Sequence, residues 1–88
     1  MVYRIYTEDK GNLEELTIPY FNCFTIHNTV GWWYGKAESS VIIEIVGKAG
    51  DRHKVLKLKD IIQKTNYQES VLVVESPGRA IERRKTDV

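Results

Sequence analysis

The stretch from residue 23 to residue 47, "CFTIHNTVGWWYGKAESSVIIEIVG", decides how this chain folds. Its first part alternates. Phe24, Ile26 and Val30 share one parity; Thr25, His27 and Thr29 share the other. Successive side chains of a strand point to opposite faces, so residues 23–33 read as a half-buried strand. The last part, "SSVIIEIVG" at 39–47, is apolar at both parities except at Glu44. That pattern predicts a central strand. The segment "GWWYGKAE" joins the two and is long enough for a hairpin that extends beyond the sheet. It sets Trp32, Trp33 and Tyr34 in succession between Gly31 and Gly35. Three rings in a row cannot all enter one core. Alternation puts Trp32 and Tyr34 on one face and Trp33 on the other.

Working outward, "VYRIY" at 2–6 reads as a strand with Val2 and Arg4 on one face and Tyr3 and Ile5 on the other. "EDKGN" is turn chemistry. Asn12 followed by Glu15 has the form of a capping box, and Leu13, Leu16 and Tyr20 then fall on one helical stripe. Pro19 lacks an N–H and clashes with the preceding turn, which predicts a short or kinked helix. After Gly47 and Gly50, Asp51 is placed to cap a second helix. Val55, Leu58, Ile62 and Thr65 would face inward there, with Arg52, Lys57, Lys59 and Lys64 solvated. "ESVLVVES" at 69–76 is the last strand, and "PGRAIERRKTDV" follows as a basic tail.

The order strand, helix, strand, strand, helix, strand is the ferredoxin-like βαββαβ pattern of the α+β class. It predicts a four-stranded antiparallel sheet with both helices on one face, in a single domain over residues 1–76 with a tail at 77–88. One consequence stands out. Ile42 and Val46 oppose Val41, Ile43 and Ile45, and Leu72 and Val74 oppose Val71 and Val73. Whichever set the helices cover, the other leaves an apolar sheet face, which marks an interface. An 88-residue chain hides only roughly 60–65% of its unfolded surface, so association would add core.

Composition narrows the function classes. Thirteen basic against twelve acidic residues give a net charge of +1, no global drive toward a nucleic-acid polymer. The first twenty residues are acidic and the last twelve basic. Apolar runs fall far short of the ~20 residues a membrane helix needs. Cys23 is the sole cysteine, so no internal disulfide forms. A reducing compartment follows, and the opening residues show no secretory signal. A cytoplasmic location is expected.

No motif for chemistry emerges. Cys23 and His27 share a strand face, but a zinc site needs three or four ligands, and a nucleophilic cysteine needs an orienting partner. Neither metal, cofactor nor catalytic residue is expected. The glycines form no recognised phosphate loop. An anion could still be held by side chains: guanidinium groups chelate phosphate oxygens in a planar fork, which makes Arg79, Arg83 and Arg84 candidates, with Lys36. Trp32, Trp33 and Tyr34 suit an interface core or a stacked nucleobase. Thr25 and His27 supply polar contacts from the strand face.

These residues resemble the trimeric ferredoxin-like group of PII signalling proteins and CutA. The local likeness is to CutA: a tryptophan-rich segment, Gly-Lys and an acidic residue, an apolar strand, a basic helix, and a Tyr-Glu turn into the last strand. Here these are Trp32 to Glu38, Val41 to Val46, Val55 to Ile62, and Asn66-Tyr67-Gln68-Glu69. The resemblance covers roughly residues 24–75. It implies a homotrimer whose sheets pack around an axis, a hairpin that reaches over a neighbour, and adenine-nucleotide sensing in the clefts between subunits. "TNYQES" carries neither the glycine-rich phosphate loop of PII proteins nor its lysine, so the resemblance does not extend to their mode of ATP binding. The expected function is non-enzymatic binding of a nucleotide or nucleotide-derived signal, with sequestration as a sharper form. A protein-interaction module is the alternative, and a metal-responsive CutA-like protein comes third.

Overall fold

The computed structural model describes residues 1–78, and of Trp33 the backbone alone. Arg79, Arg83 and Arg84 lie outside the described residues. The elements run β1 (Val2–Glu8), α1 (Leu13–Thr17), β2 (Thr25–Trp33), β3 (Lys36–Val46), a 3-10 turn (Ala49–Asp51), α2 (Arg52–Thr65) and β4 (Leu72–Ser76). The strands form one antiparallel sheet in the order β2-β3-β1-β4. This is the ferredoxin-like α+β fold expected from the element order.

The helices cover the odd parity of the two central strands. Tyr3, Ile5, Val41, Ile43 and Ile45 are each no more than 1% exposed. They pack with Leu13 of α1 and with Val55, Leu58 and Ile62 of α2 in one core. The spacing of the α2 residues sets an apolar stripe along one side of that helix. Thr65, expected on the stripe, is exposed, because it lies in the last turn of α2, past the core. On β2, Ile26 pairs with Ile43 and so shares the helix-covered face.

Two caps differ from expectation. Asn12 makes no side-chain cap on α1. Its amide instead exchanges two hydrogen bonds with the amide of Asn66, donating at 2.7 Å and accepting at 3.1 Å, which ties the start of α1 to the end of α2. Asp51 likewise does not cap α2. Its carboxylate accepts the Lys48 N–H at 2.9 Å and closes the 3-10 turn. Gly47 makes that closure feasible, since a Cβ there would sit 2.7 Å from the Asp51 carboxylate oxygen. The first helix is indeed short. Beyond Pro19, the N–H groups of Tyr20 and Phe21 both donate to the Thr17 carbonyl.

The hairpin is longer and tighter than the sequence suggests. β3 begins at Lys36, not Ser39, and Trp33 pairs directly with Lys36. Tyr34 and Gly35 alone form the loop, both with positive φ, 49° and 79°. That is the geometry of a type I′ turn, whose twist matches that of the strands. Tyr34 therefore belongs to the turn, and the alternation that placed it on the face of Trp32 stops one residue short. The hairpin draws the molecule out to 40 × 23 × 23 Å.

Candidate functional site

Among the described residues the sheet has one face without helices, and the register lays out its residues in rows. Thr25, Glu44, Arg4 and Val74 form one row; His27, Ile42, Tyr6 and Leu72 form the next. Leu72 is 59% exposed, Val74 37% and Val46 47%. Within this apolar field sits an ion pair with a histidine beside it. Arg4 Nε donates to Glu44 Oε1 at 2.9 Å, and His27 Nε2 lies 3.7 Å from Glu44 Oε2. Cross-strand neighbours on one face stand close enough to interact, and here they hold an ion pair half-shielded from water. Glu44 neutralises Arg4, so this patch offers polar contacts rather than a bare positive charge.

Thr25 and His27 thus share the open face, as expected. They do not meet the other proposed ligand contacts within one chain. Lys36 and the Tyr34–Gly35 turn lie at the hairpin tip, about 20 Å or more from His27 at the rise of an extended strand. Trp32 pairs with Ala37 and shares the helix-side parity of Ile26, yet it lies beyond both helices and is 71% exposed. Val30, two residues earlier on that side, is 66% exposed. The ring of Trp33 lies outside what the structure describes. A single chain offers two separated groups, one at the sheet centre and one at the tip.

Two concave surfaces accompany them. A cleft of about 220 Å³ lies between α2 and the edge strand β4, lined by Tyr3, Arg52, Val55, Leu56, Val73 and Glu75. Arg52 and Glu75 meet along its lining in a two-pronged ion pair, with Nε donating at 3.1 Å and Nη2 reaching the second oxygen. The Tyr3 hydroxyl donates to the Lys48 carbonyl. Burial pushes the Tyr3 phenol above its ordinary range, the nearby Glu75 and Asp51 carboxylates add to this, and Arg52 partly offsets it. The second concavity, about 320 Å³, lies between α1 and β2 and is lined in part by Asp9, Glu14 and Glu15. Its carboxylates repel phosphate.

The pairing of Arg4 with Glu44 and the β4 cleft escaped the sequence reading. Glu44 was visible as the one charge in an apolar strand, but its partner depends on the β1–β3 register. Cys23 precedes β2 in an irregular bend, so it does not share a strand face with His27 as expected. Among the described residues no group of three or more His, Cys, Asp or Glu side chains is placed to hold a metal ion. No helix among them is long and apolar enough to cross a membrane. No protein-family model matches the chain, and no curated protein does.

Proposed function

We propose that the chain is a non-enzymatic binding protein of the cytoplasm. It works as a homotrimer of PII/CutA type and holds a nucleotide or nucleotide-derived anion in the clefts between copies. One observation carries this reading: an apolar sheet face, free of helices among the described residues, with the Thr25, His27, Arg4 and Glu44 side chains set into it. Covering that face with other copies removes its apolar area from water. The polar group then borders a cleft rather than bulk solvent. Thr25 and His27 contact the ligand from the sheet. Lys36 and the arginines at 79, 83 and 84 supply positive charge, and the hairpin aromatics supply a stacking surface. Because the two groups are far apart in one chain, each site draws on two copies.

Native mass spectrometry and titration calorimetry against a panel of nucleotides and cyclic nucleotides test the reading. The expected result is a trimer that binds one class, with binding weakened by His27→Ala and by Lys36→Ala. A confirmed trimer that binds none of the panel overturns it. Ligand released by heat should be recovered intact, as sequestration requires; a chemically altered ligand rejects the non-enzymatic reading. A second reading is favoured by the exposure of Val30 and Trp32: the hairpin docks a protein partner, in which case its removal abolishes capture of that partner.

A further inference from the structure

We propose that the cleft between α2 and β4 binds a free α-amino acid with an apolar side chain, held by Arg52 and Glu75 through its two charged groups. The inference goes beyond the nucleotide reading and does not depend on it.

The lining sets the size and the apolar part of the ligand. Tyr3, Val55, Leu56 and Val73 make apolar walls, and Arg52 and Glu75 are the two charged lining residues. Tyr3 and Val55 belong to the buried core, so packing fixes that side of the hollow. Leu56 is 46% exposed, on a helix that buries Val55, Leu58 and Ile62. A ligand side chain lying against Leu56 and Val73 removes apolar area from water. The volume is about 220 Å³. Clefts for drug-sized ligands run from about 300 to 1,000 Å³, so this one suits a single amino acid and is too small for a nucleotide.

The charges set the kind of ligand. Arg52 Nε donates to one oxygen of Glu75 at 3.1 Å, and Nη2 reaches the other. A ligand with a carboxylate alone takes Arg52 and leaves Glu75 without its partner. One with an ammonium alone does the reverse. A zwitterion replaces both halves at once: its carboxylate takes the guanidinium fork, and its ammonium takes the Glu75 carboxylate. In an α-amino acid the two groups sit on one carbon, side by side like the two charges of the pair. The Arg52 and Glu75 side chains are 60% and 34% exposed, so a ligand reaches both from solvent. A pair this exposed contributes little to stability, and exchanging it for ligand contacts costs little. Two neighbours bias the orientation. Arg52 is the first residue of α2, and the positive end of a helix favours a carboxylate. Asp51 acts together with Glu75 on the Tyr3 phenol, so a second carboxylate stands nearby to favour the ammonium.

The test uses the full chain. Titration calorimetry is run with L-valine, L-leucine, L-methionine and L-phenylalanine, with glycine, and with the desamino acid and the decarboxylated amine of the best ligand. At least one apolar amino acid should bind with millimolar affinity or better, and glycine should not. Loss of either charged group from the ligand should weaken binding about tenfold or more, as loss of a hydrogen bond to a charged group does. Arg52→Gln and Glu75→Gln should each have the same effect, while circular dichroism stays that of the folded chain. Backbone NMR shifts on binding should centre on Arg52–Leu56 and Val73–Glu75. No binding by any apolar amino acid overturns the inference and leaves the nucleotide reading standing. A desamino acid that binds as tightly as the amino acid also overturns it, because Glu75 then recognises nothing. Shifts centred elsewhere, or binding unchanged in both variants, overturn the site. A chain that binds an amino acid here and no nucleotide supports this inference and overturns the nucleotide reading alone.

Discussion

Ile42 and Ile43 are neighbours on β3 with opposite fates. Ile43 is fully buried under both helices, whereas Ile42 lies half-buried on the face without helices. The same contrast runs along the whole sheet. On one face the packing is complete and the chain supplies both partners. On the other, Tyr6, Leu72 and Val74 lie beside the Arg4–Glu44 ion pair and His27. The helix face makes the fold, and the open face contributes less to it.

The sharpest way to break this contrast is truncation on each side. Ile43→Ala should cost about 2–5 kcal/mol, the range for deleting a well-packed core side chain. Ile42→Ala should cost clearly less in urea unfolding below the concentration at which copies associate. Equal losses would mean that the two faces are energetically alike. Next comes Tyr3→Phe, which removes the hydroxyl donated to Lys48 and should lower the unfolding midpoint less than Ile43→Ala does. The pH dependence has a definite sign. Tyr3 holds its proton more tightly folded than unfolded, so its contribution is complete below the unfolded value near pH 10 and is lost as pH rises through the higher folded value. Tyr3→Phe should therefore flatten the alkaline fall in stability; a steeper fall would contradict the burial of that phenol.

Two smaller effects refine the picture. Thr17 is fully buried, and its hydroxyl has no hydrogen-bond partner among the described residues. A buried polar group without a partner is costly. Thr17→Val should raise stability by about 1 kcal/mol, and a loss in calorimetric midpoint would show that a bound water satisfies the hydroxyl. Glu44→Gln keeps the shape and removes the charge beside Arg4. It should cost less than about 1 kcal/mol, as partly exposed ion pairs do. A larger loss would move the Arg4–Glu44 pair from the open face to the folding side of the comparison.

Element order and sheet class were legible because apolar periodicity reports them directly. The apolar two-sided character of β3 and β4 was equally plain. Which parity the helices cover was not, since both sets are aliphatic and only the three-dimensional register separates them. Asn12 looked like a local cap, yet its partner is 54 residues away. The turn was obscured because Tyr34, not a glycine, takes the first left-handed position. At the candidate site, Thr25 and His27 were legible from alternation. Arg4 and the cleft at β4 were not, because each is built from residues brought together by strand pairing and by α2.

The place of β1 has a consequence for the order in which the chain can acquire structure. The earliest strand of the sheet in chain order, β1, is an inner one, paired with β3 on one side and β4 on the other. Neither partner is adjacent in the chain, and β4 ends more than sixty residues after β1. Among the described residues the β2–β3 hairpin is the one strand pair that closes locally, on the order of microseconds for an isolated hairpin. During synthesis β1 therefore waits, while the hairpin it will later join is already able to form. Closing β1 between its partners is a non-local event of the kind that slows folding, and it cannot finish until β4 has left the ribosome.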